Sequence, residues 1–272
     1  GIYTMNTVSF NLLGNYGRLG NCMFQYASTL GIARKLNACP TANVTATGLM
    51  TQCFKLGSVA NTIVTQTPYL YQENTFSFDE NLFEISLDGN MEIRGYFQTP
   101  KYFNHVEDEI KGDFQFVDPI IDWAITKIPK DEKTVSVHVR RGDYVNISKY
   151  HHNQTISYYE EAIEHFNDHR PIVFSDDIEW CKIHLSHLPN NPVFIEDNKY
   201  DINLEARKKS DVSGYVDMCA MGMCDAHIIT NSSFSWWGAY LGGGTTVAPK
   251  TWFGPEGPQD WHDVYKKEWI IV

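Results

Sequence analysis

The sequence predicts an α/β protein built on mainly parallel sheets, and two observations carry that prediction. From Lys133 onward, short apolar runs of strand length alternate with runs of helical periodicity, the rhythm of successive βα units. Near the amino terminus a strand-like run, Thr7–Leu13, precedes a glycine-rich turn, Gly14–Asn21, and a helical run, Met23–Leu36, so the same unit opens the chain.

Residues 38–90, rich in Thr, Asn and Ser, predict short strands and loops, and Glu92–Gln98 reads as an alternating strand ended by Pro100. The second system runs strand Thr134–Val139, helix Ser157–Asn167, strand Pro171–Phe174, helix Ile178–Leu185 and strand Pro192–Ile195. It continues with helix Tyr215–Met223, strand Ala226–Thr230, helix Phe234–Leu241 and a last strand at Thr246–Ala248. The boundary is expected near residues 118–132, dividing the chain into halves 1–125 and 126–272. In such sheets ligands sit at the carboxyl ends of the strands, so informative residues should follow strands directly.

With 272 residues and 43% of them hydrophobic, the chain can bury an ordinary core. Its seven Trp and fifteen Tyr suit clefts in which rings stack on sugar faces, although the adjacent pair Trp236 and Trp237 reads as core. A net charge of −11 excludes a general nucleic-acid binder, so any phosphate must meet a local cluster of cations. No run of 18 apolar residues and no signal-peptide pattern is present, which predicts no membrane segment and favours a cytoplasmic bacterial or viral setting over a trimmed Golgi enzyme. Six cysteines without a C-x-x-C pair predict buried free thiols in place of a zinc ribbon.

The first chemical cluster is Val135–Tyr144 (VSVHVRRGDY). In a strand, Ser136, His138 and Arg140 share one face and Val135, Val137 and Val139 the other, which predicts one polar and one core face. Adjacent arginines at a strand end need an anionic partner. A diphosphate fits, because guanidinium donates paired hydrogen bonds and stays charged; pairing of Arg140 with Asp143 or another carboxylate is the structural alternative. In the second cluster, Asn231, Ser232 and Ser233 stand between an apolar strand and a helix, where hydroxyls and free N–H groups hold either a phosphate or the helix's own end. The glycine turn has G-x-x-G-x-x-G spacing, which lets backbone N–H groups approach a diphosphate. In Val173–Asp177 (VFSDD), Asp176 and Asp177 either accept from guanine N1 and N2 or cap the next helix. No D-x-D triplet occurs, so a metal-held diphosphate is not expected and the arginines take the metal's place; no metal and no cofactor are predicted.

Three ordered motifs carry a family likeness: GRLGNCMFQYA at Gly17–Ala27, HVRRGDY at His138–Tyr144 and NSSFSWWGAYL at Asn231–Leu241, supported by SYYEEAI at Ser157–Ile163 and by VFSDD. The chain resembles the α-1,2-fucosyltransferases, with wider kinship to protein O-fucosyltransferases and α-1,6-fucosyltransferases. The likeness spans most of the chain apart from residues 38–90, and it departs at Cys22, where the family usually has Gln. It implies a GT-B-like fold of two Rossmann-type halves, metal-independent inverting transfer, GDP-fucose as donor and the 2-hydroxyl of a terminal β-galactose in a glycan as acceptor. The first half, 1–125, would be the acceptor side and the second, 126–272, the GDP-fucose-binding domain. By the same likeness Arg140 holds the β-phosphate, with Asp143 as the nearest carboxylate, either base or orienting group. Gly20, Asn21, His138, Arg141, Asp176, Asp177, Asn231, Ser232 and Ser233 complete the expected donor-binding set. A fucosyltransferase of another linkage, such as a protein O-fucosyltransferase, and a non-catalytic glycan-binding module are the competing readings.

Overall fold

The computed structural model describes residues 5–196 and 212–272. It divides into two units, the first running to Gln115 with Asp260–Lys266 added, the second comprising Phe116–Gln259 and Lys267–Val272. The divide falls ahead of the boundary expected at residue 125. The reason is helix Asp118–Ile125, which packs on helix Val212–Met223 of the second unit.

The first unit holds β1 (Thr7–Phe10), α1 (Leu19–Lys35), β2 (Cys39–Ala42), α2 (Met50–Cys53), β3 (Ala60–Asn61), β4 (Tyr69–Gln72), β5 (Met91–Arg94) and α3 (Glu107–Asp113). Its five strands are all parallel in the order β3-β2-β1-β5-β4. Helix α1 starts four residues earlier than its apolar periodicity suggests, so Gly20 and Asn21 lie in its first turn and not in the preceding loop. First-turn N–H groups lack intrahelical partners in any helix, so glycine and asparagine cost little there. Gly14 and Gly17 turn the chain at φ +92° and +78°, and a Cβ on Gly14 would strike the Ala46 carbonyl while one on Gly17 would strike the Asn21 amide. Strand β5 stops at Arg94, shorter than expected, because Gly95 at φ +147° bends the chain away.

The second unit holds α4 (Asp118–Ile125), β6 (Thr134–Val139), α5 (Ile156–Ile163), β7 (Arg170–Ser175), α6 (Ile178–Leu185), β8 (Val193–Phe194), α7 (Val212–Met223), β9 (Ala226–Ile228), α8 (Ser233–Gly242), β10 (Thr246–Ala248) and β11 (Ile270–Ile271). All six strands are parallel, in the order β11-β10-β9-β6-β7-β8. Read from β6, the chain builds outward through β7 to β8 and then resumes on the other side at β9, the doubly wound order of Rossmann-type sheets. The switch point therefore lies between the carboxyl ends of β6 and β9. Val135, Val137 and Val139 pack against Tyr159, Ile163, Cys181 and Leu185, which closes the α5/α6 face.

The opposite face of β6 is not open to a ligand, contrary to the alternation argument, for β6 is buried at all six positions. At Ser136 the polarity is satisfied internally. Ser136 Oγ lies 2.8 Å from His227 Nδ1, and His227 Nε2 lies 2.8 Å from the Gly243 carbonyl. A carbonyl can only accept, so Nε2 carries the proton and Nδ1 accepts from Ser136. Burial pushes the His227 imidazole down to about 4, so it stays neutral at pH 7. Trp236 and Trp237 are fully buried, as expected of core residues.

Candidate active site

Three loops leave the carboxyl ends of β6, β7 and β9, and they bring most of the sequence-predicted residues together. Arg140 follows β6 directly. Its Nη2 lies 2.5 Å from Asp143 Oδ1 and its Nη1 3.2 Å from Asp176 Oδ2, while its guanidinium sits 5.2 Å from the centre of the Tyr144 ring. The Tyr144 ring also stacks on His151 at 4.4 Å and 3°, so the ring beside Arg140 is itself supported. Arg141 lies over Trp180 at 4.1 Å, and its Nε is 3.4 Å from Asp177 Oδ2. Its backbone N–H donates to Asp176 Oδ1 at 2.9 Å.

Asp176 thus ties both arginines to the end of β7. Gly142 makes this possible, since a Cβ there would overlap the Asp176 carboxylate. Asp177 caps α6 by accepting from the Trp180 N–H at 3.3 Å, which realises the helix-cap alternative. Its side chain nevertheless remains 43% exposed, so its carboxylate retains free lone pairs.

His138 sits beneath this cluster and not on its surface. It is buried, its ring lies 5.5 Å from Phe234 at the start of α8, and its Nδ1 has no hydrogen-bond partner among the described residues. Desolvation, with the Arg140 charge adding to it, pushes its imidazole down to about 3. His138 is therefore a neutral ring at pH 7, unable to serve as a cation for phosphate.

Beyond β9 the expectation for Asn231 needs correction. Its Nδ2 donates to the His152 and Trp252 carbonyls, both at 2.8 Å, and its Oδ1 accepts from Gln154 Nε2 at 3.1 Å and Thr230 Oγ1 at 3.0 Å. An amide offers two donors and two acceptor lone pairs, so all four are engaged and none is left for a nucleotide. Asn231 instead staples the β6, β9 and β10 loops, and its carbonyl accepts from the Tyr144 hydroxyl at 3.2 Å. Ser232 caps α8, its Oγ accepting from the Phe234 N–H at 3.3 Å. Ser233 begins the helix, half-buried, where first-turn N–H groups and the helix dipole favour an anion.

Gly20 and Asn21 belong to the first unit. Asn21 Oδ1 accepts from Gln98 Nε2 at 2.6 Å, which ties the first turn of α1 to the loop after β5. Cys22, where the resembled family usually has Gln, is a buried thiol pushed above its ordinary pKa by desolvation. Sequence reasoning missed Tyr144, His151 and Trp180 as supports of the arginines. Tyr144 and Trp180 were findable as aromatics close behind Arg141 and Asp177, whereas His151 reaches the site only through tertiary folding. Among the described residues no group of three or more His, Cys, Asp or Glu is placed to hold a metal ion, and no helix is long and apolar enough to cross a membrane.

Paired, aromatic-backed arginines stand at the switch point of a doubly wound sheet, which makes the second unit a Rossmann-type domain within an α/β protein of two parallel sheets. The chain belongs to glycosyl transferase family 11, whose family description matches residues 3–272. It is 35% identical over 201 residues to an alpha-1,2-colitosyltransferase of Escherichia coli, covering 69% of this chain and 64% of that protein. It is 24% identical over 251 residues to galactoside alpha-(1,2)-fucosyltransferase 1 of Leontocebus fuscicollis, covering 85% of this chain and 65% of that protein. The chain thus spans less than two thirds of the length of these curated relatives. Among solved structures, the fucosyltransferase NodZ from Bradyrhizobium aligns over 88% of this chain and 93% of its own with a TM-score of 0.57 at 13% identity, which establishes the GT-B-like fold.

Proposed function

We propose that this protein transfers L-fucose from GDP-fucose, with inversion at the anomeric carbon, to the 2-hydroxyl of a terminal β-galactose. The observation that carries the reading is the pair Arg140 and Arg141, held at the β6/β9 switch point by aromatic rings and carboxylates in a chain of this family. Breaking the bond between fucose C1 and the β-phosphate oxygen leaves negative charge on GDP. A fixed guanidinium at that oxygen stabilises the charge as it forms, and one preorganised donor of this kind is worth ~10²–10³ in rate.

Arg140 suits that task. A guanidinium has five N–H donors, and its two ion pairs engage one terminal nitrogen each. The Ser232–Ser233 end of α8 adds N–H groups for a second phosphate oxygen. Charge balance assigns the remaining carboxylates. Three aspartates surround two arginines, an unfavourable setting for a diphosphate unless one carboxylate is used elsewhere. Asp177, most exposed to solvent after Asp143 and 3.4 Å from its arginine, is the group to accept from guanine N1 and N2. Asp143, 52% exposed and tied to Arg140, orients the guanidinium.

A second reading concerns the donor sugar alone. The 35% identical relative is named for colitose transfer, so the same GDP-type site would serve a different sugar. The test is transfer from labelled GDP-fucose to a β-galactoside, with the corresponding colitose donor in parallel and linkage analysis of the product. Label in a product cleaved by an α-1,2-fucosidase supports the proposal; label only from the colitose donor selects the second reading, and no transfer from either donor rejects both.

A further inference from the structure

The sheet order of the first unit places β5 between β1 and β4, so three loops meet at one carboxyl edge: the glycine turn after β1, Gly95–Gln98 after β5, and Glu73–Phe78 after β4. The chain leaves β1 towards β2 while β5 pairs on its other side, which makes this edge the unit's switch point. Three rings gather there. Tyr96 lies 6.2 Å from Tyr16 at 67° and 6.5 Å from Phe76 at 36°, and Tyr96 is 42% exposed. Behind them stands Glu73. Its Oε1 accepts from the Tyr96 N–H at 2.9 Å and its Oε2 from the Phe97 N–H at 3.1 Å.

We propose that this edge, with Tyr16, Phe76 and Tyr96 as its apolar platform and Glu73 as its polar anchor, is the subsite that receives a neutral pyranose of the acceptor glycan. The inference rests on the proposed function for the identity of that sugar. An aromatic face covers the C–H face of a pyranose, and a carboxylate accepts from ring hydroxyls. Neither Glu73 nor Asp260 beside it offers a cation to a phosphate, so the edge does not suit the nucleotide.

Backbone strain is concentrated at the same place. Phe97 holds φ +51°, uncommon for an aromatic residue, and Gly95 at φ +147° admits Glu73 because a Cβ there would strike the glutamate side chain. The loop is further fixed by the Gln98–Asn21 hydrogen bond and by Gln25 Nε2, which donates to the Gly95 carbonyl at 3.1 Å. A carboxyl group kept in a half-buried place costs stability, and burial pushes Glu73 up to about 7. Strain and an expensive carboxylate together beside the exposed Tyr96 ring are features that folding alone does not require.

The test is titration of the full chain with methyl β-D-galactopyranoside and with lactose, observed by NMR of the aromatic side chains, with calorimetry for GDP on the same samples. Tyr96 and Tyr16 resonances are expected to shift on sugar addition. Tyr96→Ala is expected to weaken sugar binding about tenfold while Tyr96→Phe keeps it, and GDP affinity should stay within twofold in both. Sugar binding unchanged in Tyr96→Ala, perturbation confined to other residues, or no sugar binding at all would overturn the inference. Loss of GDP binding in the unaltered chain with sugar still held at Tyr96 would instead sink the proposed function and leave this subsite standing.

Discussion

Asp143 and Asp176 both touch Arg140, and the structure assigns them unequal weight. The Asp143 side chain is 52% exposed and contributes one ion pair, a geometry worth ~0.5–1 kcal/mol in solvent. Asp143→Asn should therefore lower kcat/KM for GDP-fucose only about two- to fivefold. The Asp176 side chain is 27% exposed, pairs with Arg140 and accepts the Arg141 backbone N–H. Hydrogen bonds to a charged partner contribute about 1.5–3 kcal/mol, so Asp176→Ala should cost roughly 10–150-fold. Steady-state kinetics with GDP-fucose and a β-galactoside, together with GDP calorimetry, give both numbers. The reasoning fails if Asp143→Asn falls by ~10² or more and loses a limb of the pH–rate profile, for that is the signature of a general base.

Gly142→Ala pushes a methyl group onto the Asp176 carboxylate, so GDP binding should weaken about tenfold with little change in the melting midpoint; calorimetry and thermal unfolding check the two halves. Asn231→Ala leaves the His152 and Trp252 carbonyls, Gln154 and Thr230 without their partner, and urea unfolding should show a loss of about 3 kcal/mol or more. Glu73 predicts a pH dependence. Its folded-state pKa of about 7 exceeds the ordinary 4.5, so the folded chain holds that proton more tightly and stability falls as pH rises from 4.5 to 7. Asp260 reinforces the shift, and the neighbouring Tyr71, Tyr102 and Asp79 bring no cation to offset it. Glu73→Gln should remove that slope and raise stability at pH 8 by up to ~3 kcal/mol, measured by urea titrations at pH 5 and pH 8.

The carboxyl ends of β6, β7 and β9 were legible because strand ends in a parallel sheet are where side chains escape the core, and the arginines, aspartates and serines stand immediately after apolar runs. What those side chains do once there was less legible. Alternation along β6 distinguishes two faces but cannot tell that His227, 91 residues away, satisfies Ser136 and closes the polar one. Asn231 has the composition of a ligand-binding residue, and only the positions of two distant carbonyls reveal that its amide is saturated. The start of α1 was misplaced because hydrophobic periodicity begins only after Gly20 and Asn21, although backbone geometry already turns helical at Leu19. The edge formed by Tyr16, Glu73 and Tyr96 left no linear trace at all, since it exists only because β5 pairs between β1 and β4.

The central claim, that the arginine-bearing loops of the second sheet hold the diphosphate of a guanine nucleotide, is tested most directly by calorimetric titration of the chain and of Arg140→Ala with GDP, in EDTA, with ADP and UDP as controls. The account predicts chelator-insensitive, guanine-selective binding that falls ~10²-fold or more in Arg140→Ala. Equal affinity for GDP in a folded Arg140→Ala, or no binding of GDP by the unaltered chain, would contradict it.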